Sequence, residues 1–426
     1  MRVLVVGGGG REHALTWQLH QDDPATTIFA APGNPGTAKL AKNLPIAAND
    51  LDGLVDAAVA NRVDLVVVGP EAPLAAGLVD RLQALGRPAF GPTAAAARLE
   101  SSKAFAKTVL MEAGVPTAAS AAFTSLAPAL AYIDTHAEPL VVKASGLAAG
   151  KGAVVCATRA EAAATARAFL EGKLGSAGEE IVVEDFLSGE ELSVLALTDG
   201  EQVVILPPAQ DHKRLGDGDT GPNTGGMGAY TPVSLATPVL LERVRRQVLE
   251  PTLAAMRARG TPYSGVLYAG LMVAADGTPW VLEFNCRFGD PETQVVLPAV
   301  ADGVSGHLFA IARHQWHAGT PVLAARRAAV TTVLAARGYP DHPEKGAAIT
   351  LPKLERDILV FHAGTARDAD GTLRVAGGRV LNVTAVAASV GQAAAASRAA
   401  CARITFDGKV FRSDIGWREI ARAGAA

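Results

Sequence analysis

The chain has 426 residues, of which 49% are hydrophobic and 19% charged, with a net charge of −3. That composition supports packed cores and excludes a disordered chain. A charge this small supplies no basic field for nucleic acid or acidic membranes, and no stretch approaches the ~20 apolar residues of a membrane span.

At roughly 100 to 200 residues per domain, the length implies two to four domains. Five tyrosines and four tryptophans leave little material for base-stacking platforms. The three cysteines, Cys156, Cys286 and Cys401, fit no zinc spacing and read as reduced thiols of a cytoplasmic protein. The first apolar run is too short for a signal-peptide core.

The first hundred residues alternate strand and helix signals. RVLVV reads as a strand, REHALTWQLHQ as a helix, TIFAAPGN as a strand ending in a turn and LDGLVDAAVANR as a helix. DLVVVGPE is a strand, LAAGLVDRLQALG a helix and PAFGP a short strand. Apolar runs separated by helices predict a parallel sheet.

The pattern changes near Ser101. SSKAFAKTVLMEAG reads as a helix stopped by Gly114, with Pro116 beyond it. LVVKAS and AVVCAT flank a glycine loop so short that an antiparallel hairpin is expected. A helix over RAEAAATARAFLEG and a strand over EIVVEDFL follow. Strands dominate from 191 to 290, around a loop, QDHKRLGDGDTGPNTGGMGAY, long enough to be functional. From about 325 the chain is strand-rich, with one alanine-rich helix from Ser389 to Ala402.

Four glycines, Gly7 to Gly10, end the first strand. A dinucleotide finger needs G-x-G-x-x-G and a carboxylate about twenty residues on. Counting from Gly7 or Gly8, the final position is Glu12 or His13, and the second strand ends in Pro32, Gly33 and Asn34. The NAD reading fails. A strand-end loop opening a helix can still receive an anionic substrate. Asn34 and Glu71, ending the next two apolar strands, would line the same crevice.

Lys143 to Gly152 is not a P-loop. Three residues separate Gly146 from Gly150, and Lys151 is followed by Gly152 and a strand rather than by Ser or Thr and a helix. It reads as a hairpin lid over phosphates, with Lys143 on the entering strand and Lys151 at the tip, or else as a mobile surface turn.

In TPWVLEFNCRFGDPETQ, the strand WVLEFN places Glu283 and Asn285 on one face, about 7 Å apart, with Leu282 and Phe284 on the other. A carboxylate and an amide among apolar residues suit Mg²⁺, which takes a few protein oxygens and completes its shell with phosphates. Arg287, Asp290 and Glu292 follow around a tight turn, a plausible substrate floor. His307, His314 and His317 read as one side of a solvated helix, and Cys286 as structural.

Taken together, the motifs resemble those of the phosphoribosylamine–glycine ligases, also called glycinamide ribonucleotide synthetases, of the ATP-grasp superfamily. They run from end to end: GGREHAL, APGNPGT, VVGPEAPL, FGPT, SSKAFAK, KASGLAAGKG, the long loop, EFNCRFGDPETQ, FHAGT, GGRVLNVTA and DIGW. RFGDPETQ is the most diagnostic. The resemblance implies a fold of α/β and α+β class. It has a Rossmann-like parallel-sheet substrate domain (1–101), an ATP-grasp domain (102–324) with a lid subdomain at about 118–187, and a mixed, β-rich C-terminal domain (325–426).

It also implies roles for residues. Lys103 and Lys143 would contact ATP phosphates, and the Gly150, Lys151, Gly152 tip would close over them. Glu184 and Leu187 would offer backbone groups to adenine, and Glu191 rather than Glu190 would hold the ribose. Glu283 and Asn285 would bind Mg²⁺ or Mn²⁺. Gly9, Gly10, Asn34, Glu71, Asp211, Asp290 and Lys353 would serve the substrates, and Arg287 the glycine carboxylate or the transferring phosphate. Arg287, Lys143 and Lys151 would carry catalysis. The preceding strand, YAGLMVA, lacks the further acid of many relatives. The implied reaction is ATP-dependent ligation of glycine to 5-phosphoribosylamine in purine biosynthesis, by a cytoplasmic monomer with no nucleic-acid or membrane partner.

Overall fold

The computed structural model describes residues 1–148, 150–300, 303–317 and 323–425. Ala149, in the glycine hairpin, lies outside them. No single helix among the described residues is long and apolar enough to cross a membrane.

The N-terminal sheet is parallel throughout, in the order Lys42–Asn43, Thr27–Pro32, Arg2–Gly7, Leu65–Val68, Ala89–Phe90. The central strand is apolar from Val3 to Val6 because both faces are covered there. Val3 and Val5 join the core containing Ala14, Leu15 and Leu19 of the helix Gly10–Asp22. Leu4 and Val6 join the opposite core, with Leu54, Leu78 and Leu82.

The single helix expected over LAAGLVDRLQALG is broken. Glu71–Ala75 and Leu78–Ala84 are separate, with Gly77 between them at φ +87°, a conformation that ends one helix and caps the next. A helix absent from the sequence reading, Ala94–Ser101, precedes Lys103–Glu112. Ser102 stands extended between them, and its hydroxyl accepts from the Phe105 N–H as an N-cap.

The remaining sheets are antiparallel. One runs Ser120–Phe123, Ile181–Asp185, Leu140–Ala144, Ala153–Cys156, and the expected hairpin pairs Lys143 with Ala153. The next runs Val203–Ile205, Glu190–Thr198, Gly265–Val273, Pro279–Asn285. The third joins distant segments: Gln210–Asp211 and Gly228–Thr231, at the two ends of the long loop, continue into Ala328–Ala336, Arg379–Ala387 and Ile358–His362. The alanine-rich helix spans Val390–Arg403, and Ser389 caps it.

The three histidines do not share a helix. Val304–Ala312 carries His307 alone, and His307 Nδ1 pairs with the Trp316 indole at 3.2 Å. His314 lies past the helix end at φ 54°, so the seven-and-three spacing crosses a turn.

Candidate active site

A cleft of about 680 Å³ lies where the sheets meet. Among its lining residues are Glu71, Lys103, Lys143, Gly150, Gly152, Glu184, Leu187, Glu191, Asp211, Glu283, Asn285, Arg287 and Asp290.

The strand Pro279–Asn285 corrects one expectation. Gly270 pairs with Glu283, but the next residue, Leu271, pairs with Val281, so Leu282 is an extra residue in the ladder. Such a bulge re-aims a side chain and frees a backbone group. Leu282 therefore lines the cleft beside Glu283 instead of facing the core, and its carbonyl accepts from Lys143 Nζ at 2.8 Å. Phe284 and Val281 go into the core.

Burial would raise the Glu283 pKa, but Lys213, Lys103, Lys143 and Arg287 outweigh it and hold the carboxylate below its ordinary range. Asn285 Oδ1 accepts from Arg287 Nη2 at 3.1 Å. The donor set is two hard oxygens. No group of three His, Cys, Asp or Glu residues among the described residues could hold a metal. This fits a Mg²⁺ that borrows most of its ligands from phosphates, and does not fit a self-sufficient protein cage.

Arg287 is the hub of the floor. Nη2 lies 2.7 Å from Glu100 Oε1, and Nε lies 3.3 Å from Glu71 Oε2. Burial opposes its charge, yet Glu100 and Glu71 raise its pKa further. Glu100, pushed up mainly by burial, also accepts from the Cys286 N–H at 2.7 Å. The sequence reading missed Glu100 because it missed the helix that carries it. The Glu100-Ser101-Ser102 junction was the available signal, since a capping serine marks a helix start and therefore an earlier helix end.

Asp211 and Lys213 both face the cleft, and His212 between them points away. Burial raises the Asp211 pKa; Lys213 opposes this, Glu292 and Glu191 add to it, and the result is about 7. Lys213 Nζ binds Glu191 Oε2 at 2.5 Å. Glu190 instead pairs with Arg422 on the C-terminal helix, away from the cleft. Glu292, placed by the sequence in the substrate floor, accepts from Tyr268 OH at 2.7 Å and Ser193 Oγ at 3.3 Å.

His212 is the anchor of the loop. Its Nε2 accepts from the Gly416 N–H at 3.0 Å. Nearby, fully buried Arg412 lies 2.8 Å from Asp219 and 2.7 Å from Asp414, and donates to the Arg214 carbonyl at 3.1 Å. The DIGW motif and its neighbour thus clamp the loop that presents Asp211 and Lys213.

On the side of the glycine hairpin, Lys143 Nζ lies 2.9 Å from Glu184 Oε2, and Lys107 Nζ lies 3.4 Å from Oε1. Burial lowers the pKa of Lys103, with Glu283 opposing, and draws that of Lys107 down to about 8. Lys151 is exposed and pairs with Asp341 at 3.3 Å.

The glycine run has a structural answer. A Cβ on Gly7 would stand 2.5 Å from Glu12 Cγ, one on Gly9 2.8 Å from Glu12 Oε2, and one on Gly69 2.6 Å from Glu12 Cγ. The glycines make room for the Glu12 carboxylate, which accepts from the Gly9 N–H and from Arg11, each at 2.6 Å. A Cβ on Gly10 would come within 2.7 Å of Gln294 Nε2. Asn34 spends its amide internally: Nδ2 donates to the Gly8 and His362 carbonyls, and Oδ1 accepts from Gly36 and Thr37. Gly9, Gly10, Asn34, Lys151 and Lys353 are not among the cleft's lining residues. Lys353 is exposed, and its carbonyl is held by Arg403.

Comparisons with known proteins match this geometry. Family models for the phosphoribosylglycinamide synthetase N domain, ATP-grasp (A) domain and C domain match residues 1–100, 101–293 and 329–418. A phosphoribosylamine–glycine ligase of Nostoc sp. is 49% identical over 98% of this chain and 99% of its own. The solved phosphoribosylamine–glycine ligase of Thermotoga maritima superposes with a TM-score of 0.87 at 34% identity, covering 98% of this chain and 100% of that one. The biotin carboxylase domain of the Hydrogenobacter thermophilus 2-oxoglutarate carboxylase, solved with MgADP, shares the fold alone, with a TM-score of 0.73 at 17% identity over 96% of this chain and 91% of that one. The chain belongs to the phosphoribosylglycinamide synthetase family, with an ATP-grasp domain at its centre.

Proposed function

We propose that the cleft joins glycine to 5-phosphoribosylamine, consuming ATP and yielding glycinamide ribonucleotide, ADP and phosphate. The observation that carries this is the convergence of Lys103, Lys143, Lys213 and Arg287 on half-buried Glu283. Three of these cations are steadied by Glu184, Glu191, Glu71 and Glu100, which makes them a preorganised set suited to a polyphosphate and a substrate carboxylate.

A carboxylate is a poor acyl donor. On this reading a glycine carboxylate oxygen attacks the γ-phosphorus, the bond to the β-bridging oxygen breaks, and ADP leaves. The amine of phosphoribosylamine then attacks the carbonyl of glycyl phosphate, loses a proton and expels phosphate. Arg287 orients the carboxylate, while Asp211 and Glu292 face the glycine ammonium. Lys103 and Lys143 offset charge on the phosphates, with Lys151 closing from the lid. Leu187 and the Glu184 backbone meet adenine, and Glu191 meets the ribose. Glu71 and Asp290 meet phosphoribosylamine, and Gly9, Gly10 and Asn34 shape its crevice from behind. Mg²⁺ or Mn²⁺, held by Glu283 and Asn285, supplies charge neutralisation at the phosphates. No protein nucleophile is needed; positioning and electrostatics suffice.

We read the chain as a cytoplasmic monomer of three domains, 1–101, 102–324 with a lid at about 118–187, and 325–426. The short strands flanking the long loop are lent to the C-terminal sheet. The test is phosphate release that requires ATP, Mg²⁺, glycine and freshly generated phosphoribosylamine together. Equal rates with alanine or bicarbonate in place of glycine would overturn the assignment.

A further inference from the structure

Lys107, a cleft residue with no part in the mechanism above, sits on the helix Lys103–Glu112 beneath the lid hinge. Its ammonium donates to Thr117 Oγ1 at 2.7 Å and to the Ala118 carbonyl at 3.2 Å. Thr117 in turn donates to the Val281 carbonyl on the strand bearing Glu283. Two donors are thus spent on fixed backbone-side partners. The third side of the ammonium is left 3.4 Å from Glu184 Oε1, near enough for an ion pair but held back from a short hydrogen bond.

The consequence falls on Glu184. Its Oε2 is engaged by Lys143 at 2.9 Å. Its Oε1 is buried and accepts no hydrogen bond among the described residues. A buried acceptor without a donor is costly, and in a cleft it marks where a ligand's donor belongs. The surroundings describe that ligand. Leu147, Val155 and Phe186 line the cleft near Glu184 yet are 36%, 52% and 41% exposed, apolar surface awaiting a flat partner.

We infer that Lys107 is a specificity-determining positioning residue: by holding the Glu184 carboxylate with Oε1 open, it makes the cleft accept a 6-aminopurine and refuse a 6-oxopurine. This rests on the nucleotide reading above. An exocyclic amino group offers N–H to Oε1, whereas a carbonyl oxygen there sets lone pairs against a carboxylate. A site built to pair a donor rejects the analogue lacking it strongly, because its buried acceptor is then left unpaired.

The test is kcat/KM for ATP and for GTP in glycine-dependent phosphate release, for the wild type, Lys107→Met and Lys107→Arg. Lys107→Met should lower the ATP-to-GTP ratio by about 10-fold or more, mainly through KM for ATP. Lys107→Arg, which keeps a cation, should retain most of the ratio. A ratio unmoved in Lys107→Met, with both nucleotides losing equally, would show that Lys107 merely supports the fold or adds charge. If Lys107→Met does not fold, Glu184→Gln serves. Its carboxamide can turn an N–H to the 6-oxo group, so the ratio should fall as well, and an unchanged ratio would overturn the inference. Wild-type failure to turn over ATP would overturn the nucleotide reading and this inference together; turnover with an unmoved ratio overturns the inference alone.

Discussion

The Lys143 ammonium donates to the Leu282 carbonyl at 2.8 Å, tying the strand Leu140–Ala144 to the strand that carries Glu283 and Asn285. The carbonyl is available only because a bulge takes Leu282 out of the ladder. Lys143→Met should therefore lower kcat by about 100-fold or more, the scale of losing one preorganised charge contact, with far-UV circular dichroism unchanged. A rate within a few-fold of wild type would show that the contact is only architectural.

On the proposed reading, Glu283 and Asn285 hold the cation. Glu283→Ala should cost at least ~10-fold in turnover and raise the Mg²⁺ concentration needed for half-maximal rate, in line with the weight of metal-site support. Asn285→Asp adds a charge and turns its contact with Arg287 into a charge-assisted pair, so its Mg²⁺ and Mn²⁺ titrations should shift relative to each other. Near-normal activity of Glu283→Ala at low Mg²⁺ would contradict both expectations.

Acid should loosen the contact between the N-terminal helix and the C-terminal sheet. His13 Nδ1 accepts from the His362 N–H at 2.9 Å, which requires a neutral His13 ring. Burial, with His362 and Lys39 adding, lowers the His13 pKa to about 3; burial, with Lys39 and Arg367 adding, lowers that of His362 to about 4. Both folded values lie below the unfolded 6.5, so the unfolded chain takes up protons first as pH falls. The stability is intact above pH 6.5 and is lost from there down toward 4 and 3, by up to about 1.4 kcal/mol per pH unit for each ring. Urea midpoints at pH 7 and pH 5 measure the loss, and His13→Gln should flatten it. A pH-independent midpoint over that range would refute the assignment.

Gly9 has an ordinary extended backbone, so a side chain there meets only its neighbours: Glu12 Oε2 at 2.8 Å and Asp290 Oδ2 at 3.7 Å. Gly9→Val should displace the Glu12 cap and disturb Asp290. KM for phosphoribosylamine should rise by about 5- to 10-fold, the scale of a lost cap, while KM for ATP stays nearly constant. NAD should bind neither protein. An effect on ATP alone, or micromolar NAD binding, would refute this reading of the loop.

The regular parts of the fold were legible because periodicity and burial agree there. Val3 to Val6 are apolar at every position and covered on both faces, as a central parallel strand demands. The hairpin around Lys143 followed from its short loop. Two kinds of feature were hidden. One is local backbone irregularity: the Leu282 bulge and the Gly77 break leave no periodic trace, since one extra residue in an apolar strand still reads as apolar. The other is long-range partnership. Nothing adjacent to Glu100 announces Arg287, and nothing in the glycine run announces that Glu12, three residues beyond Gly9, fills the space the glycines leave. Asn34, expected to end an apolar strand, lies two residues past the strand Thr27–Pro32, and its hydrogen bond to His362 crosses 328 residues.

The clamp on the long loop has a consequence for how the chain comes into being. His212, Arg214 and Asp219, the loop residues around Asp211 and Lys213, are held by Gly416 and Arg412, which are synthesised some 200 positions later. A nascent polypeptide can complete its parallel sheet and its nucleotide-facing strands while this loop still has nothing to close against. On the reading above, the glycine subsite is the last part to form.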